Sequence, residues 1–331
     1  KSGEGRLVET LMTNVMESLP GYRHLAFAMR WQIRVQAYNG NVDYALRDCA
    51  ILQRVGDHIQ GQGLLIEQLV GVSIESLALD EISKILKNVD VSADTLKTVQ
   101  EELAVQVEEH ESVIGLAGEK VFWYDEIQRT FTDDGKGDGR VLVRGLIYVS
   151  TDDWKDNLFK LLTFSYTSRQ EAIAQIDKYF EQADKLFDET PWDLHNESTV
   201  YNEWNEALEQ TSFMLKMVGP ANERINQLAW RLKTHRIGLL TLLAIIRYQK
   251  DQGRYPENLN ELVSTGYLNN LPRDPFGDGP LVYKKTDDGF LLYSFGSNLK
   301  NDGGQPGLDS KGKPRMWSDD GDWVFWPMSD S

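Results

Sequence analysis

Asp133 to Gly139, DDGKGDG, sets three carboxylates among glycines, the composition of a calcium-binding loop. An EF-hand needs oxygen ligands at alternate positions and a bidentate Glu at the twelfth. With Asp134 in first place, Lys136 takes the third position and Gly145 the twelfth, so the spacing fails and a polar surface loop is expected. His24, His58, His110, His195 and His235 are scattered and form no ligand-like pair, which predicts structural or solvent-facing roles. Cys49 is the one cysteine; it excludes an intrachain disulfide, and its place on an apolar helix face predicts a buried structural thiol. No G-x-S-x-G elbow, phosphate loop, dinucleotide fingerprint or H-E-x-x-H occurs. The 51 acidic residues leave a carboxylate-based hydrolase, with its cleft between two regions, as the alternative function, because spacing alone selects no pair. Of the nine tryptophans, Trp317, Trp323 and Trp326 have the faces to line a sugar site, but core and rim packing is the expected role.

Composition narrows the classes. The 331 residues are 41% hydrophobic and 26% charged, those of a globular protein with room for two domains. A formal charge of −16 argues against binding nucleic acid, which needs clustered cations facing phosphate, and against an anionic membrane surface. The longest apolar run, Ile237 to Ile246, is fenced by Arg236 and Arg247. A bilayer takes about 20 residues to cross, so this run predicts a core helix. The chain opens on Lys1 rather than Met, which predicts that an upstream segment has been removed; a membrane anchor is open there, and none is expected from Lys1 onward.

The elements that must position any site are mostly helical up to residue 218. Trp31, Ile33, Val35 and Ala37 alternate as in a strand, yet Val42, Ala45, Leu46, Cys49 and Leu52 follow helical spacing. Two helices joined by a tight Asn39-Gly40 turn are therefore expected. The segment Ala37 to Leu46 resembles the turn of tetratricopeptide-type hairpins, without a 34-residue recurrence along the chain. Further helices are expected from Leu64 to Leu86, from Asp94 to Leu116 with an acidic outer face, and from a Ser168/Glu171 capping box through Phe187. Gly219-Pro220 is the expected boundary between a helical domain, 1–218, and a second unit, 219–331. That unit reads as one long helix, Ala221 to Lys250, then LVYKK and GFLLYSF as a hairpin around TDDG, then DWVFWP as a third strand. The fold class is α+β.

The order of this punctuation carries a resemblance. A helix ending in RYQKDQGRYP, followed by LNELVSTGYL, LPRDPFGDGPLVYKK, GFLLYSFGSNLKNDGG and a terminal Asp-rich strand, resembles the C-terminal half of major pseudopilins of the type II (general) secretion pathway. It covers about Ala221 to Pro327. The whole arrangement is similar to envelope proteins of planctomycetes and verrucomicrobia that join a helical region to this module. In place of the pseudopilin's leader and membrane-spanning helix stand more than 200 residues of helix, and Arg231, Lys233, His235, Arg236 and Arg247 interrupt the long helix. It is therefore not expected to be the buried spine of a filament.

The resemblance also implies a calcium site after the last hairpin strand. Asn298 stands at the matching corner, with Asn301 and Asp302 behind it, and SDDGDW supplies Asp319, Asp320 and Asp322. Such oxygens suit a hard cation. Asn298 replaces the family's usual Asp, and the intervening loop, Gly303 to Ser318, is longer. The expectation is thus a non-enzymatic, extracytoplasmic interaction protein of a Gram-negative-type envelope, related to general secretion. Its helical region meets other envelope proteins, and calcium orders its C-terminal loop.

Overall fold

The computed structural model describes residues 11–61, 63–109, 114–140, 168–210 and 213–328. Among them are ten helices and one three-stranded antiparallel sheet, the expected α+β class. None of these helices is long and apolar enough to cross a membrane.

Helices α1 (Leu11–Tyr38) and α2 (Val42–Gln60) form the expected hairpin. Gly40 makes the turn at φ +79°, where a Cβ would be strained. Cys49 is buried on α2, where burial raises its thiol pKa. Helix α3 (Leu65–Asn88) lies against α2 at a pair of glycines. A Cβ on Gly56 would stand 2.8 Å from the Gly71 carbonyl oxygen, and one on Gly71 2.5 Å from that of Gly56, so the two backbones touch. Helix α4 (Ala93–Glu109) follows, then α5 (Ala117–Thr130).

DDGKGDG is a compact polar loop, as expected. Asp134 Oδ1 accepts from the N–H groups of Lys136 and Asp138, and Asp138 Oδ1 from that of Gln170. Its closing end meets the start of α6 (Arg169–Asp188), where Ser168 and Glu171 form the expected capping box. The short α7 (Pro191–Asn196) and α8 (Ser198–Gln210) come next. Tyr179 of α6 packs on Trp204 of α8 with ring centroids 5.1 Å apart.

Helix α9 (Phe213–Gln252) is the axis of the molecule. It runs unbroken through Gly219-Pro220, so the division expected after residue 218 falls inside a helix. A prolyl ring removes one backbone donor, which suggests a break, but a helix whose later turns are packed on several sides continues past that cost. Ile237, Leu239, Leu240, Leu242, Leu243, Ala244 and Ile245 are all buried, as the run Ile237 to Ile246 predicted. Of the basic residues on this helix, Arg236 is itself in the core, 1% exposed and paired with Glu75 of α3. One apolar cluster takes in side chains from α1 through α6, from α9 and from the sheet.

The chain leaves α9 through the half-buried Tyr255 and the buried Pro256. Helix α10 (Leu259–Ser264) folds back with Leu259 and Leu262 buried, and Glu261 accepts from Tyr248 Oη at 2.5 Å and from Arg254. Strands β1 (Val282–Lys285), β2 (Phe290–Ser294) and β3 (Trp323–Trp326) pair in that order, with Tyr283 opposite Leu292 and Tyr293 opposite Val324. Phe325 of β3 fits the notch at Gly238 of α9, where a Cβ would lie 2.2 Å from its ring. The sheet is thereby keyed to the helix by shape.

Candidate functional site

Of the expected cation ligands, the structure brings three together. Asn298 Nδ2 donates to Asp302 Oδ2 at 2.7 Å, and the backbone N–H of Asp302 donates to Asp322 Oδ1 at 3.2 Å. Asp322 Oδ2 accepts from the N–H of Gly304 at 2.5 Å, while its own N–H donates to the Gln305 carbonyl at 2.9 Å. Asn301 Oδ1 accepts from Tyr293 Oη and the N–H of Gly303. Asp322 is fully buried, and burial raises its carboxyl pKa, against the pull of the donated N–H groups. Asp319 and Asp320 are exposed and line a neighbouring cleft. Among the described residues, no three or more His, Cys, Asp or Glu side chains converge as a metal cluster. As placed, these oxygens do not fit a calcium shell: both Asp322 oxygens accept backbone donors, and the Asn298 amide nitrogen faces Asp302.

The turn before the hairpin is held by a second buried carboxylate. Asp274 Oδ1 accepts from the Phe276 N–H at 3.0 Å and from Ser294 Oγ at 2.9 Å. Burial pushes Asp274 up to about 6, with the Asp322 charge adding to it. The same turn reaches the helical region, because Trp192 of α7 donates its N–H to the Pro275 carbonyl and Arg273 pairs with Asp193 at 2.7 Å.

Beside that tether opens a cleft of about 720 Å³ between α7, α9 and the loop through Arg315 to Trp323. Glu223, Gln227, Trp230 and Arg231 line it from one face of α9, spaced by helical steps. Its opposite wall is aromatic: Trp317 lies 5.0 Å from Trp323, which lies 4.5 Å from Phe276 between ring centroids. The Arg231 guanidinium sits 4.7 Å over the Trp317 ring. Burial pushes Arg231 down to about 10, opposed by Asp80 and Asp319 and aided by Arg315 and Arg224. Behind Trp317, His235 is buried, and burial, with the Arg231 charge, lowers it to about 3, so it is a neutral ring. Sequence reasoning named Arg231 only as a charge on the long helix and Trp317 only as one tryptophan among nine. The signal available was their type: a guanidinium beside Trp230 on the long helix of a strongly acidic chain.

A second surface lies on α1. Leu19, Ala26 and Ile33 face the core, and on the opposite side Phe27, Trp31, Val35 and Tyr38 are 51%, 68%, 53% and 92% exposed. Steps of four, four and three set them in one apolar stripe. The chain was compared with protein-family models, with curated proteins and with solved structures, and none matches it.

Proposed function

We propose that this chain is a non-enzymatic, extracytoplasmic protein-interaction protein of the cell envelope, related to the general secretion pathway, that docks a partner through its helical region. The observation that carries the reading is the apolar stripe of α1. A helix on a protein surface ordinarily turns polar side chains to water. Here Trp31 and Tyr38 stand out on the face away from the core, the residue types that anchor protein interfaces. The order of long helix, short returning helix, Asp-Pro-Phe-Gly turn, hairpin and third strand supports the secretion-related part, since it is the order of the pseudopilin-like module. The resemblance also implies calcium, but the oxygens as placed take part in hydrogen bonds instead, and the docking reading does not require the ion.

The test places a photo-crosslinking residue at position 31 in cells that export the protein, with position 101 on α4 as an exposed polar control. Adducts at 31 with an extracytoplasmic protein, lost in a Phe27→Glu, Tyr38→Glu variant that melts like the parent, are the expected result. Adducts no more frequent at 31 than at 101, or formed with cytoplasmic proteins, would count against the reading.

A further inference from the structure

Arginine in a chain with 51 acidic and 35 basic residues has abundant carboxylates to choose from. Arg231 pairs with none of them: among the described residues its guanidinium makes no ion pair and no hydrogen bond, Asp80 and Asp319 act on it only through space, and its contact is the face of Trp317. A guanidinium held over an aromatic ring, with no hydrogen bond of its own, has donors free for a bidentate acceptor. Arg315 lines the same cleft and likewise has no ion pair among the described residues. Two further residues of the lining, Trp230 and Asn226, are 5% and 6% exposed, and each holds a buried polar atom, Nε1 and Oδ1, without a partner. Unpartnered buried polar atoms are rare in folded proteins and mark places where a ligand or water completes the structure.

We propose that this cleft binds a small organic anion: one carboxylate or phosphate, received by Arg231 and Arg315, on a flat apolar ring that packs against Trp317 and its aromatic neighbours. The volume of about 720 Å³ is that of a small-molecule site. Asp319 and Asp320 are exposed at the cleft while Arg231 is half-buried, so water screens these acids more than it screens the cation. The same acids repel a long polyanion, which restricts the ligand to a single anionic head. This site is independent of the α1 stripe and of any docking partner.

Saturation-transfer NMR and calorimetric titration of the full chain with indole-3-carboxylate and with phenyl phosphate test it, the two heads distinguishing carboxylate from phosphate. Indole-3-carboxamide and benzylamine serve as neutral and cationic controls. At least one anion is expected to bind, its neutral counterpart about tenfold more weakly, as a charge-assisted hydrogen-bond pair implies. Arg231→Gln is expected to reproduce that loss. Arg315→Gln, an exposed change that leaves folding intact, is expected to weaken binding by a smaller factor. Binding of neither anion, equal binding of the amide, or wild-type affinity in both variants would overturn the proposal.

Discussion

Arg236 and Glu75 form a two-pronged ion pair sealed between α9 and α3. Nε meets Oε1 and Nη2 meets Oε2, each at 2.5 Å, with side chains 1% and 0% exposed. Gln60 donates to Oε2 at 2.8 Å and Gln53 to Oε1 at 3.4 Å, so the carboxylate's remaining lone pairs are used as well. The pair ties the long helix to the helical region at a point that admits no water. Removing either partner strands a buried charge, a loss of about 3–5 kcal/mol. Urea unfolding of Glu75→Leu, Arg236→Met and the double variant should give single losses of that size. The double loss should be well below their sum, because no charge is left buried. Strictly additive losses would mean that the two residues act independently.

The glycine contact between α2 and α3 decides a sign. Glycine in a helix interior costs about 1 kcal/mol relative to alanine, so Gly→Ala is stabilising where space allows. At Gly56 and Gly71 the new methyl would meet the facing helix's backbone, which gives way only if the helices part. Overpacking of that kind costs about 1–3 kcal/mol, which outweighs the propensity gain. Gly56→Ala and Gly71→Ala should lower the melting temperature. Gly21→Ala on α1, where nothing lies within 4 Å, should leave it unchanged or raise it.

The contrast between these features shows what a single sequence makes legible. The Ser168/Glu171 box, the Asn39-Gly40 turn and the two short runs around the TDDG turn of the hairpin were readable because each is a local code, complete within a few residues. The Glu75–Arg236 pair joins positions 161 apart, and nothing local marks a charge destined for burial. Pro220 misled for the same reason: its local preference is to end a helix, and packing along the rest of α9 overrides it. The C-terminal acids illustrate the limit for sites. Their composition suited a cation, yet the fold sends Asp322 inward to the backbone of residues 302 to 304 and Asp319 and Asp320 outward to the cleft.

Glu81 gives the acid limb of stability a defined origin. Burial would raise its carboxyl, but hydrogen bonds from Arg34, Arg30 and Lys84 win and hold it at about 2. A carboxylate depressed in the folded state binds protons less readily there than when unfolded. Its contribution is therefore complete above the ordinary value of 4.5 and is lost as pH falls from there toward 2. Stability measured by denaturant across this window should fall less steeply in Glu81→Gln than in the parent. Asp274, raised to about 6, acts oppositely: the folded state takes up its proton first, so acidification from 6 toward 4 relieves the cost of its buried charge. Asp274→Asn should remove that rise. A parent and a Glu81→Gln variant with parallel acid limbs would show that the α1–α3 ion pairs carry no such linkage.

Asp322 and calcium can be separated by one set of melts. Its two carboxylate oxygens already accept the N–H groups of Asp302 and Gly304, so the buried turn is satisfied by protein atoms. Asp322→Ala leaves those donors unpaired and should cost about 1–3 kcal/mol per lost partner. Asp319→Ala, an exposed change at the cleft, should cost little. A cation that bound only the folded chain would raise the melting temperature by mass action. The hydrogen-bonded net predicts the same melting temperature in EDTA and in millimolar calcium, with magnesium as the control, and an Asp322→Ala loss of equal size in both. A calcium-specific rise that disappears in Asp322→Ala would show that Asp322 turns from the backbone, and Asp302 from Asn298, to hold the ion, as in the pseudopilin-like pattern.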